Sequence, residues 1–396
     1  MASRSAMRPL SSACTGRSRA SVMGCVAAGR RVLPIALCAG LPAFLTVRTL
    51  LRLGVAHAQF AGDFHYAFWP AGQRVLHGLS PYVDPGAPVI KQAIAFVYPA
   101  VGALLLVPLA LLPHAVADNA FALFNLGAML LTLRLLKVHD WRLYGLALIS
   151  PAVFSGWSLA NVTLLLGLGV ALAWRYRERA LVAGALVALL VSVKLFLWPL
   201  ALWLAATRRY AALGYAALVA LALNAVAWAA LGLNELHRYS ALMRALAKAE
   251  EEHGYSLISL SLRFGASHFG AYALAILIAI VAAAACIVVG RAGRDLGALA
   301  LALAVSIVAT PIVQLHYFAL LVVPFAVARP RLSLAWALPL AFWACWTPTR
   351  SWQVAGALAL GTAMLVVTLR SASSPHPEPK PLAPTRRNRT LAPAPS

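Results

Sequence analysis

Residues 270–290 read GAYALAILIAIVAAAACIVVG, a run without one charged side chain, closed by Arg291 and Arg294. A helix needs roughly 20 apolar residues to cross the hydrocarbon core of a bilayer, and this run supplies them. Working outward, further apolar stretches occupy 32–53, 117–136, 143–174, 180–207, 210–232, 295–328 and 332–369. They are continuous and rich in Leu and Ala, without the period-two alternation that a membrane β-barrel wall requires. Of the 396 residues, 62% are hydrophobic and 11% charged, against about 25% charged in an average soluble domain. Too few polar side chains remain to coat a water-facing surface. The fold class is an all-α polytopic membrane protein.

The formal charge of +22 sits in small clusters between the apolar runs, with no basic stripe and no nucleic-acid-binding motif. Nucleic acid is therefore not an expected partner. The clusters are Arg134/Lys137/Arg142, Arg175/Arg177/Arg179, Arg208/Arg209, Arg291/Arg294, Arg329/Arg331 and the tail from Arg370. Lys and Arg hold loops on the cytoplasmic side of a membrane. Placing every cluster there turns 143–174, 180–207, 295–328 and 332–369 into hairpins of two short or tilted spans. Between Arg209 and Arg291, spans at 210–232 and 270–290 flank an exterior loop of about 233–269. Residues 94–112 carry Pro99 and Pro108 and read as a re-entrant or interfacial segment, because a second crossing there would put Arg134–Arg142 outside. The expected total is about 12 spans, with both termini cytoplasmic in an inner or plasma membrane.

Three regions follow. Residues 1–31 form a basic cytoplasmic tail, 32–370 the transmembrane domain, and 371–396 a disordered tail rich in Pro, Ser and basic residues. Ala56-His57-Ala58 resembles a signal-peptidase site. The apolar run before it outlasts the usual ~7–15-residue signal core, so a retained first span is expected. The first outer loop, about 54–116, is the largest exterior piece. Chemistry belongs outside, because the cytoplasmic connections are too short to build a site. The five cysteines show no paired spacing and read as small hydrophobic residues. No phosphate-binding Gly-rich loop, metal-ligand cluster or nucleophile–base signature is present, so neither a metal nor a cofactor is expected.

Few residues are left to carry chemistry. Asp63, in Gly62-Asp63-Phe64-His65-Tyr66, stands just after the first span, where a carboxylate can act as general base on a hydroxyl; its bland alternative is a solvated loop Asp or a helix N-cap. Asp84, in Ser80-Pro81-Tyr82-Val83-Asp84-Pro85-Gly86, reads as a turn residue, and Glu250-Glu251-Glu252 as a solvated helix face. Arg48 and Arg52 lie four apart on one helical face and suit a lipid phosphate, or else snorkel to ordinary headgroups. Lys194, in Val191-Ser192-Val193-Lys194-Leu195-Phe196-Leu197-Trp198-Pro199, is a cation in apolar surroundings and needs a partner. His316 and Tyr317 follow Thr310-Pro311-Ile312-Val313-Gln314-Leu315 at another exterior turn. Asn161, in Ser158-Leu159-Ala160-Asn161, is an exterior polar residue whose alternative is helix–helix hydrogen bonding.

In this order the pieces resemble glycosyltransferase family 87, polytopic enzymes of the GT-C class. Gly62-Asp63-Phe64 with Leu76-His77-Gly78-Leu79-Ser80-Pro81-Tyr82 is similar to that family's first-loop pattern, an Asp followed by a G-x-x-P-Y turn. Tyr98-Pro99-Ala100, Lys194 to Pro199, and Gln314-Leu315-His316-Tyr317 through Pro324 are similar to later elements. The chain departs from the pattern at Ala100, where a second Pro is common, and at Leu159-Ala160, where Gly-Gln often precedes the Asn. The resemblance implies a bundle with membrane-lying helices in the first outer loop. It also implies a polyprenyl-phosphate sugar donor, a lipid or glycan acceptor, inversion at the sugar, and Asp63 as base. Arg48, Arg52, Lys194 and His316 are then the candidates to compensate the donor phosphate. A transporter or flippase of lipid-linked sugars would explain the spans and cations equally well, but not the Asp-bearing outer loop.

Overall fold

The computed structural model describes residues 33–45, 47–48, 61–90, 95–251 and 253–372. Both terminal tails, Arg52 and the start of the first outer loop lie outside these residues. The described chain is helical, with no strand. Its helices are α1 (Leu33–Leu45), α2 (Trp69–Leu76), α3 (Ala100–Ala110), α4 (His114–Leu135), α5 (Trp141–Ile149), α6 (Pro151–Ser158), α7 (Thr163–Arg175), α8 (Ala180–Val193) and α9 (Leu195–Ala206). They continue as α10 (Tyr210–Leu231), α11 (Asn234–Glu250), α12 (Leu257–Arg263), α13 (His268–Arg291), α14 (Asp295–Val308), α15 (Leu315–Ala328), α16 (Leu334–Cys345) and α17 (Ser351–Ala372).

Only four of these helices, α4, α10, α13 and α17, are singly long and apolar enough to cross a membrane. The pair α6 and α7, bent by 117° at its break, makes a fifth if counted as one span. The other apolar helices are 10–17 residues long, or about 15–25 Å at 1.5 Å per residue, against a hydrocarbon core of about 30 Å. The twelve or so spans expected from loop charges are therefore not present as full-length helices among the described residues. Local sequence explains the shortening. Pro151 and Pro199 interrupt helical hydrogen bonding, and Lys194 adopts an extended backbone between α8 and α9 (φ −146°, ψ 101°). Residues 94–112 contain the short α3, which packs against α2 of the outer loop.

The short helices share a polarity. α7 starts at Thr163 and runs to Arg175, while α8 runs from Ala180 to Val193, just before Lys194. α14 runs from Asp295 towards the loop of residues 309–314, and α15, with His316 in its first turn, runs from Leu315 to Ala328, just before Arg329. One end of this group thus carries the candidate site residues and the other carries basic loops. Those loops are tied to one another. Arg177 and Arg209 both lie 2.8 Å from Asp295, Arg209 reaches Glu178 at 2.7 Å, and the Trp203 indole donates to Asp295 at 2.7 Å. Asp140 caps α5 through the Arg142 amide and accepts from the Leu332 amide at 3.2 Å, joining the loop before α16.

Close helix crossings use small residues, as expected where packing has no hydrophobic force behind it. α8 and α10 form the most extensive helix pair. A Cβ on Gly184 would stand 2.5 Å from the Ala212 carbonyl oxygen and 2.7 Å from the Tyr215 side chain. Gly214 has open space around it.

Two predictions follow from this packing. Gly184→Leu should cost about 1–3 kcal/mol, the usual range for overpacking. Gly214→Leu should stay within about 0.5 kcal/mol; equal shifts in thermal midpoint in detergent would contradict the close crossing. Asp140 is held below the usual carboxylate range chiefly by its hydrogen bond from Arg142. Its contribution is complete above the ordinary carboxylate pKa of about 3.9 and disappears as pH falls through the depressed folded value. Asp140→Ala should cost about 1 kcal/mol near neutrality, with wild type and variant converging in acid.

Candidate functional site

The outer loop docks on the break between α6 and α7. The Ala61 amide donates to the Ser158 carbonyl at 2.8 Å, and the Asp63 amide to the Leu159 carbonyl at 3.1 Å. Ala61 (φ 52°) and Ala160 (φ 50°) both take the left-handed conformation, which is unfavourable for any residue with a Cβ. Each is wholly buried, so packing holds the turn against that preference. The result is a helical segment opening at Gly62 with Asp63 facing Asn161.

Asn161 serves both partners. Its side-chain amide nitrogen donates to the Asp63 carboxylate. Its carbonyl oxygen accepts from the Thr163 amide at 2.9 Å and the Thr163 hydroxyl at 2.6 Å, satisfying amides that the first turn of α7 leaves unpaired. Burial pushes the Asp63 carboxyl above its ordinary range, while the Asn161 hydrogen bond and the charge of Lys194 pull it back down.

Opposite stands Lys194, 8% exposed, at the break between two short helices. Its ammonium donates to the Tyr98 hydroxyl at 3.3 Å and lies 4.1 Å from the centre of the Tyr317 ring. A cation over an aromatic face is stabilised by the ring quadrupole, more so when desolvated. Phe196 stacks on Tyr317 with ring centres 4.9 Å apart. His316 is 3% exposed, and its Nδ1 is buried without a hydrogen-bond partner among the described residues. A buried polar atom without a partner costs free energy, so a ligand that supplied one would be favoured there.

These residues line one cavity of about 550 Å³, which includes Asp63, Tyr98, Asn161, Lys194, His316 and Tyr317. Glu250, at the end of α11, also lines it and accepts from the Gln314 side chain at 2.9 Å. A second, almost wholly apolar groove of about 380 Å³ adjoins the cavity through Phe68 and Tyr98 and extends between α3, α4, α7 and α8. Leu106, Phe124, Leu165, Leu172 and Leu189 are among its lining.

Asp63, Asn161, Lys194, His316 and Tyr317, five of the residues singled out from sequence, thus meet in one cavity. Arg48 does not join them: it is exposed and does not line the cavity. Arg52 lies outside the described residues. The reading of Glu250-Glu251-Glu252 as a solvated face is corrected for Glu250 and Glu251, while Glu252 lies outside the described residues. Glu250 and Glu251 are 5% and 9% exposed, because α11 folds back over the bundle end; Glu251 accepts from the Tyr272 hydroxyl at 2.9 Å. Burial pushes the Glu250 carboxyl up, against His253 and the Gln314 hydrogen bond. Asp84 takes its expected turn role, accepting from the Gly86 amide at 2.8 Å. Tyr98 was visible only as part of Tyr98-Pro99-Ala100, and nothing local linked it to Lys194. The sequence also gave no metal-ligand cluster. Yet His65, His114 and Asp118 come together next to the site, their ligand atoms within 4.8 Å of one another.

The model of glycosyltransferase family 87 matches residues 96–324, more than half of the chain. The matched region contains Tyr98, Asn161, Lys194, Glu250 and His316, while Asp63 precedes it. No curated protein and no solved structure matches the chain.

Asn161→Ala should lower stability by about 1–3 kcal/mol, since it leaves a half-buried carboxylate and a helix N-terminus without this partner. Thr163→Ala, which keeps the Asn161–Asp63 bond, should cost less. Thermal unfolding in detergent checks the order, and a larger loss in Thr163→Ala would contradict it.

Proposed function

Because the chain belongs to glycosyltransferase family 87, we propose that it moves a sugar from a polyprenyl-phosphate donor onto a hydroxyl of a lipid or glycan acceptor. The observation that carries this reading is the half-buried Asp63 carboxylate and the buried Lys194 ammonium lining one cavity that adjoins an apolar groove. A lipid-linked sugar has the matching layout. Its isoprenoid tail suits the Leu- and Phe-lined groove, and its phosphate and sugar suit the polar end.

In this mechanism the acceptor hydroxyl gives its proton to the Asp63 carboxylate while its oxygen attacks the anomeric carbon. The bond from that carbon to the phosphate oxygen breaks, and the electron pair leaves with the polyprenyl phosphate. Attack opposite the leaving group inverts the anomeric centre. Lys194 stands where it would compensate the charge gathering on the leaving phosphate. Fixed charges aimed at developing charge act most strongly in a water-poor site. The unpartnered Nδ1 of His316 is a second contact for phosphate or sugar. Asn161 orients Asp63. Tyr98 and Tyr317 hold the Lys194 ammonium without neutralising it, leaving its charge for the ligand.

The basic loops occupy the other end of the short helices. With these loops on the cytoplasmic side, the cavity faces the outer side of the membrane. A lipid-phosphate donor suits that location, where nucleotide sugars are not supplied from the cytoplasm.

The test is a transfer assay in nanodiscs with radiolabelled polyprenyl-phosphate sugars. Asp63→Asn should reduce turnover by about 10²–10⁴-fold, the range for loss of a general base, with donor binding little changed. Lys194→Met should weaken donor binding by roughly 10–100-fold, as expected for a lost hydrogen bond to a charged group. Unchanged transfer in Asp63→Asn would remove it as the base. Donor carried between leaflets without transfer by the wild type would favour a transporter.

A further inference from the structure

His65 and Asp118 are separated by more than fifty positions, yet the His65 Nδ1 lies 2.8 Å from one Asp118 oxygen. The His114 Nε2 lies 3.7 Å from the other. Asp118 is 9% exposed, and that second oxygen, Oδ1, is buried without a hydrogen-bond partner. The two imidazoles lie parallel with centres 3.9 Å apart, and Trp69 stacks on His114 at 4.1 Å. Tyr66 packs edge-on against His65. The rings are therefore fixed by packing before any ligand arrives. About a third of each His side chain remains exposed, which leaves a way in from solvent.

We propose that His65, His114 and Asp118 form a divalent transition-metal site of the zinc type, a clasp between α4 and the segment that carries Asp63. Two imidazole nitrogens and one carboxylate oxygen are the donor set zinc accepts when a fourth position is left for water. Metal–ligand bonds of about 2.0–2.2 Å in tetrahedral geometry put donors roughly 3.3 Å apart. With one donor atom taken from each residue, the three atoms lie within 4.8 Å of one another, so side-chain rotations that draw them together complete the site. The His114 Nε2 now approaches the His65 carbonyl at 3.1 Å. Ligation replaces that hydrogen bond, and the one between His65 Nδ1 and Asp118, with metal bonds; each imidazole stays neutral, its proton passing through water to the other ring nitrogen. The unpartnered Asp118 oxygen acquires a partner in the same step. The softer nitrogen donors disfavour calcium and magnesium, which prefer oxygen ligands.

The position gives the clasp a purpose. His65 stands two residues from Asp63, and Phe64 between them stacks on Phe121 of α4. A metal bridging His65 to His114 and Asp118 would lock this segment onto α4 beside the catalytic cavity. The site is distinct from that cavity, since none of the three residues lines it.

The test uses the untagged full-length chain in detergent, stripped with a chelator and then titrated with Zn²⁺ or Co²⁺. Wild type should bind one equivalent of zinc, and its thermal midpoint should rise with zinc and fall again with chelator. Cobalt should give the visible absorption of a low-coordinate nitrogen–oxygen site. Asp118→Asn and His114→Ala should lose the equivalent and the midpoint shift, while His237→Ala, outside the cluster, should keep both. Should a variant fail to fold, the wild-type midpoint with and without metal still decides. No bound zinc and no midpoint shift in wild type would overturn the proposal, as would zinc retained equally by all three variants.

Discussion

A half-buried carboxylate and a buried ammonium sharing one cavity constrain everything around them. Asp63 and Lys194 stand at the ends of interrupted helices, within a chain whose surroundings are overwhelmingly apolar. Isolating either charge from water is costly, and an ionisable group at membrane depth requires a partner or a wet cavity. The fold supplies both: Asn161 for the carboxylate, Tyr98 and Tyr317 for the ammonium, and the cavity between them. Helices that ran straight through would leave no room for such a site. The Pro residues and the extended backbone at Lys194 make that room, and non-helical backbone at this depth is tolerated only where protein or a cavity covers it.

Asn161 is the hinge of this arrangement. One amide group caps α7 and holds the carboxylate, so the break between α6 and α7 and the position of Asp63 cannot vary independently. The outer loop adds two backbone hydrogen bonds to the same break. The neighbouring groove between α3, α4, α7 and α8 is lined by aliphatic and aromatic side chains.

The far end of the bundle solves a different problem. Arg177, Arg209, Glu178 and Asp295 bring three basic loops together, and Asp140 joins two others. These pairs offset the mutual repulsion of loops that each carry two or more basic residues. They also fix the far ends of the short helices whose other ends build the cavity. Ties at one end thus help to set geometry at the other.

The sequence by itself determined the solvent: uncharged runs such as 270–290 can be satisfied only by lipid or by a helical interior. It also marked Asp63, Asn161, Lys194, His316 and Tyr317, because a polar residue is conspicuous against an apolar background. Helix length was less legible, since an apolar run looks the same whether it crosses whole or stops halfway at a covered break. Glu250 was misread because a run of three acids gives no sign that α11 folds back over the bundle. The His65–His114–Asp118 cluster and the Tyr98–Lys194 contact were invisible, because His65 lies 53 positions from Asp118 and Tyr98 lies 96 from Lys194. Hydrophobicity and charge are properties of a residue and can be read one position at a time. A shared cavity, a capping amide that also orients a carboxylate, and a set of converging ligands are properties of distance, which only the tertiary structure decided.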